Sequence, residues 1–138
     1  MSAGDPVAGL SREGAEQLLL ACPLHAAIGL ELLEWEPGRT KFRFAPPALV
    51  RAGEPGFVHG GALATALDVA SCFAAIAETG HDCSTVDLRA DFLRPAVDPS
   101  FDLEGKLRRA GRRLAWADAT LTTLDGRLVA AGRGVFTW

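Results

Sequence analysis

A carbonyl under attack needs hydrogen-bond donors where its negative charge grows, and an acid or base within a few ångströms of its carbon. The stretch from Phe57 to Gly80, FVHGGALATALDVASCFAAIAETG, carries both kinds of group. From Gly61 to Ala77 every residue is small or apolar except Thr65, Asp68 and Ser71, and Asp68 is the only charged side chain among them. The run is rich in Ala and Leu, free of Pro and closed by Gly80. At seventeen residues it exceeds an ordinary strand, so it is predicted to be a helix. Being apolar all round, it belongs at the centre of the fold under other elements. It falls short of a membrane span and carries an acid near its middle, which speaks against the membrane alternative.

The first turn of such a helix presents backbone N–H groups with no partner inside the helix, and the aligned peptide dipoles favour negative charge there. Gly60 and Gly61 have no side chain to block a carbonyl oxygen from those amides. Asp68 is the candidate acid or base, but it lies eight residues beyond Gly60, about 12 Å along the axis at 1.5 Å per residue. One helix therefore cannot supply both halves of a site. Two copies running antiparallel across a two-fold axis can, because each helix start then faces the middle of its partner. A catalytic Asp68 thus requires at least a dimer. Burial would raise its pKa and a neighbouring helix N-terminus would lower it. The alternative role is a structural carboxylate bonded to a backbone donor, although a lone buried acid is costly without a use.

The 138 residues make one domain, residues 1–138, with 1–27 as an N-terminal tail and short helix. A net charge of −3 and a pI near 5.6 give no general pull toward nucleic acid. Cys22, Cys72 and Cys83 have no metal-like spacing and cannot all pair within the chain, and Cys72 reads as a core residue. The N-terminus has neither a basic start nor an apolar signal core, so a reduced, cytoplasmic protein is expected. No Walker loop, dinucleotide glycine pattern or zinc spacing is present, so neither metal nor redox cofactor is expected.

Around the central helix, Ala15 to Ala21 is predicted as a short helix stopped by Pro23, and His25 as a surface or packing residue in a connection. Ile28 to Glu36 and Arg39 to Ala45 flank Pro37-Gly38 as antiparallel strands, and the loop ALVRAGEPG leads to the His-Gly-Gly turn. After Gly80 the period changes to two: Val86, Leu88, Ala90 and Phe92 form an apolar face, with Thr85 on the polar one. Phe101 to Ala110, Arg112 to Leu124 and Leu128 to Trp138 give three more strands, with Asp125-Gly126 as a tight turn. The expected class is α+β, an antiparallel sheet wrapped around one long central helix. Trp35, Trp116 and Trp138 are expected to pack, and Arg108, Arg109, Arg112 and Arg113 form one basic cluster, either a solvated turn or a phosphate contact.

This order of elements, with His59-Gly60-Gly61 opening the helix, resembles the hot-dog fold. HGGALATALD, STVDLRADFLRPA and GRRLAWADATLTTLDGRLVAAGRGVF are similar to the helix, the next strand and the last hairpin of acyl-CoA thioesterases of the phenylacetate-pathway (PaaI-type) branch within the 4-hydroxybenzoyl-CoA thioesterase superfamily. The resemblance implies that Gly60 N–H polarises the thioester carbonyl, that Asp68 of the other subunit is nucleophile or general base, and that His59 and Gly61 shape the turn. It also implies that Thr85 helps to hold the attacking water. Arg94, Arg112 and Arg113 become candidates for the charged part of coenzyme A, and Phe57, with Phe73 and Phe92, for an apolar acyl pocket. Where the family commonly carries Asn, six residues before the His, this chain has Gly53.

The expected activity is hydrolysis of an aryl or medium-chain acyl-CoA to the free acid and coenzyme A, by a homodimer at least and a homotetramer, a dimer of dimers, by the resemblance. The expected partner is the acyl-CoA substrate, with no nucleic acid or membrane. Alternatives are an acyl-CoA binding or sensing protein without turnover, motivated by Gly53, and a hot-dog dehydratase or hydratase using His59 and Asp68.

Overall fold

The computed structural model describes residues 6–7, 9–54 and 56–138. Helices α1 (Arg12–Leu20) and α2 (Pro23–Ala27) precede strands β1 (Leu30–Glu36) and β2 (Arg39–Phe44). A 3-10 turn (Ala48–Val50) and the two-residue strands β3 (Arg51–Ala52) and β4 (Phe57–Val58) lead into α3 (Gly60–Thr79). Strands β5 (Ser84–Phe92), β6 (Phe101–Ala110), β7 (Leu114–Thr123) and β8 (Leu128–Thr137) complete the chain. Six strands form one antiparallel sheet in the order β1-β2-β6-β7-β8-β5. The sheet curls around α3, as expected of a hot-dog fold.

Sequence explains how close the two layers come. The strands facing the helix carry small residues: Gly105 on β6, Ala115, Ala117 and Ala119 on β7, and Gly132 and Gly134 on β8. A Cβ on Gly105 would stand 1.9 Å from the Ala70 carbonyl oxygen, and Thr40 Oγ1 donates to that same oxygen at 3.1 Å. Larger residues, among them Leu32, Phe42, Phe44, Phe101 and Leu121, fill the rest of the core. Gly105→Ala is therefore expected to cost at least about 1–3 kcal/mol, as forced overpacking does, read as a lower midpoint in urea unfolding.

At its C-terminus α3 ends on Gly80 in the left-handed region, φ 71°, whose N–H donates to Ile76 O. The helix is long and apolar enough to cross a membrane, but most of its residues are buried against the sheet, as in a core helix.

Two expectations need correction. Pro23 does not only stop α1; it occupies the first turn of α2, where a missing N–H costs nothing, so His25 lies on a helix rather than in a plain connection. Thr85 does not lie on the polar face. The register of β5 against β8 shifts between Thr85 and Asp87, inserting one residue. Thr85 pairs with Phe136, Leu88 with Gly134 and Ala90 with Gly132, so these three β5 residues share the helix-facing side. Val86, expected inside, takes up the bulge and is 59% exposed. The strands β1, β2, β7 and β8 are also one to three residues shorter than expected.

Candidate functional site

The three polar side chains between Gly61 and Ala77 of α3 behave differently. Thr65 Oγ1 donates to Gly61 O at 2.9 Å and Ser71 Oγ to Leu67 O at 2.7 Å, so both hydroxyls are used on their own helix. Asp68 instead reaches outward, where Thr85 Oγ1 donates to its Oδ1 at 2.9 Å. Burial raises the Asp68 pKa above the usual carboxylate value, against the lowering effects of the Thr85 hydrogen bond and the charge of His25.

Asp68 and Thr85 open into a cavity of about 610 Å³ roofed by α1 and the start of α2. Leu10, Leu18, Val69, Phe73 and Ile76 give it an apolar wall, and Cys22, Cys72 and Cys83, the three cysteines of the chain, line it too. Burial pushes the Cys83 thiol up to about 11 and the Cys72 thiol well above the usual range, so both present neutral sulfur to the cavity. His25 completes the lining. No local motif marks these residues: His25 and Cys22 come from the segment around Pro23, and they line the Asp68 cavity only because the start of α2 lies beside it, with His25 edge-on to Phe73 of α3.

At the other end of the site, His59 caps α3. Its Nδ1 accepts from Gly61 N–H at 2.9 Å, which requires an unprotonated Nδ1. Gly61 N–H is thereby occupied, whereas no acceptor lies on Gly60 N–H among the described residues. Among the described residues, a Cβ on Gly60 would meet only the Phe92 ring, 3.5 Å away, so the approach to this amide is flanked by an aromatic face. His59→Ala is expected to lower stability by about 1 kcal/mol through the lost cap, measured by urea unfolding, with His59→Asn retaining most of it.

Gly60 shares a shallow cleft with Phe57, Phe92 and Arg94, and Arg94 Nη1 donates to Leu128 O at 2.7 Å. His59 and Gly61 line a separate pocket with Arg51 and Thr65. Arg112 and Arg113 are exposed in the β6–β7 turn, beside Leu114 and Thr137, which pair at the Ser84 end of β5; Gly60 lies at the Phe92 end. Within one chain the structure thus joins Asp68 to Thr85, and Gly60 to His59, Gly61, Phe57 and Arg94, but brings neither group to the other, nor Arg112 and Arg113 to Gly60. The candidate acyl-pocket phenylalanines divide likewise, Phe73 with Asp68 and Phe57 and Phe92 with Gly60.

Gly53 sits in the β3–β4 turn at φ +73°, a conformation Asn also tolerates. Arg51, unremarked in the sequence, ties this loop together by donating to Pro46 O, Gly56 O and Asp98 O at 2.6–3.0 Å. Among the described residues, no group of three His, Cys, Asp or Glu is placed to hold a metal ion.

Residues 55–130 match the Thioesterase superfamily. The chain is 29% identical to the medium/long-chain acyl-CoA thioesterase YigI of Salmonella typhimurium, over 88% of each chain. A thioesterase family protein from Silicibacter pomeroyi superimposes with a TM-score of 0.81 at 25% identity, covering 92% of this chain and 97% of that one. The E. coli PaaI protein from the phenylacetic acid degradation operon shares the fold, with a TM-score of 0.78 at 19% identity over 92% of this chain and 95% of that one.

Proposed function

Since the chain belongs to the thioesterase superfamily and is a thioester hydrolase, we propose that it cleaves acyl-CoA thioesters to the free acid and coenzyme A at a site shared by two subunits. The observation that carries this reading is the half-buried Asp68, held by Thr85 at the mouth of an apolar cavity about 12 Å along α3 from the open amide of Gly60. In the shared site the thioester oxygen rests on Gly60 N–H of one subunit, at a positive helix end. Asp68 of the other takes a proton from water through Oδ2, its Oδ1 being held by Thr85. The water oxygen bonds to the carbonyl carbon, the intermediate collapses, and the C–S bond breaks to release the thiolate of coenzyme A.

The acyl tail extends from Asp68 along α3 toward Ile76, beneath α1. That path is about 12 Å, room for a tail of roughly eight to ten carbons. A medium-chain substrate therefore fits better than an aryl one, and membership of the PaaI-type branch then concerns ancestry rather than substrate. Phe57 and Arg94 lie where coenzyme A would leave the Gly60 cleft, and Arg112 and Arg113 reach it only from a second subunit. The working unit is a dimer, which we assign to a cytoplasmic dimer of dimers.

Thiol release from a panel of straight-chain and aryl acyl-CoAs tests this. The expected result is kcat/KM rising to a maximum near eight to ten carbons. Coenzyme A binding without thiol release from any substrate overturns the hydrolytic reading, and a preference for aryl substrates overturns the tail path.

A further inference from the structure

We infer that His25 is the proton partner of Asp68, a positioning residue on the wall of the same cavity that receives the carboxylate's proton after each attack. The inference rests on the proposed role of Asp68 as general base.

The geometry of the ring comes first. His25 Nδ1 lies 2.7 Å from Leu19 O at the end of α1. A carbonyl oxygen only accepts, so Nδ1 carries the hydrogen and Nε2 is the atom left for proton exchange. The ring stands edge-on to Phe73, with centroids 6.5 Å apart, and is thus held from two sides. A histidine needed only for packing gains nothing by lining the cavity that holds Asp68, yet His25 does so.

The chemistry of the cavity supplies the need. General-base attack leaves Asp68 protonated, and burial favours that form. The next turnover requires the proton to leave. The cavity walls offer few acceptors: from α3 come Asp68 and Cys72, from the start of α2 Cys22, from the segment after α3 Asp82 and Cys83, and from β5 only Thr85. The α1 residues facing the cavity carry no titratable group. Both Cys72 and Cys83 hold their protons, and Asp82 Oδ1 accepts from Cys83 N–H at 3.0 Å. Among the residues lining the cavity, His25 supplies the one basic nitrogen, Nε2, to take the proton. The proton passes from water to Asp68 Oδ2, then by way of cavity water to His25 Nε2, and on to solvent, while the electron pair of the broken C–S bond leaves with sulfur.

His25→Asn separates this role from structure, because the Asn amide can still donate to Leu19 O but has no basic nitrogen. The expected result is kcat lowered by about 10-fold or more with KM little changed. The acidic limb of the kcat/KM profile should move to higher pH, because the positive charge that lowers the Asp68 pKa is gone. Free imidazole should restore part of the rate of His25→Ala. A wild-type rate and pH profile in His25→Asn overturns the inference. So does a lowered rate with an unmoved acidic limb and no imidazole rescue, which marks a purely structural residue. Asp68→Asn is the control: if it stays active, the general-base reading itself fails, whereas an inactive Asp68→Asn beside a wild-type-like His25→Asn sinks only the role of His25.

Discussion

Asp68→Ala and Asp68→Asn should each lower kcat by about 10²–10⁴-fold, the range expected when a positioned general base is lost. Both substitutions remove the carboxylate, but they test different things. Asparagine keeps the shape and can still accept from Thr85 Oγ1, so its cavity stays polar and filled. Alanine leaves the Thr85 hydroxyl without this acceptor. A catalytic carboxylate predicts that the two variants fail alike in turnover. A structural carboxylate predicts that asparagine keeps the rate and alanine loses stability. The oligomer should persist in both, as judged by its sedimentation, so that lost turnover reports chemistry rather than assembly.

Gly60→Pro should be nearly as damaging, with kcat down by about 10²–10³-fold, the usual effect of deleting one oxyanion donor. Proline removes the amide hydrogen and little else. Gly60 is the first residue of α3, where proline suits a helix. The preceding residue, His59, already has φ −60° and ψ 135°, which a following proline permits. Among the described residues, the only nearby obstacle to a side chain is the Phe92 ring at ordinary contact distance. Gly60→Ala, which keeps the N–H, should therefore retain far more activity than Gly60→Pro, and equal losses in the two would mean that bulk, not the donor, matters.

The legible parts of this protein are those written in local pattern. The apolar run to Gly80 predicts α3 almost to its ends, because its length and composition suit no other element. The alternation of apolar and polar residues after Gly80 makes β5 legible as a strand with one face on the helix. The same alternation fails at Thr85, since a bulge between Thr85 and Asp87 reverses the faces without any mark in composition. It is the bulge that points the Thr85 hydroxyl at Asp68. Pro23 misleads for a related reason: its fixed φ suits the start of one helix as well as the end of another, and only tertiary folding shows α2 lying over the Asp68 cavity. His25 is for that reason invisible as a site residue in sequence. Arg112 and Arg113 look close to the site along the chain of motifs, but the register of β7 and β8 carries them to the far end of the sheet. The 12 Å between Gly60 and Asp68 was readable at once, because helical rise is fixed.

That separation makes the shared site the central claim, and subunit mixing tests it most directly. Chains carrying Asp68→Asn and chains carrying Gly60→Pro, differently tagged and co-expressed in equal amounts, form mixed dimers. Each mixed dimer holds one doubly damaged site and one intact site, built from Asp68 of one chain and Gly60 of the other. With random pairing the mixture should recover about a quarter of the wild-type rate, although either variant alone is nearly inactive. A mixture no more active than its parents would contradict a site assembled from two subunits.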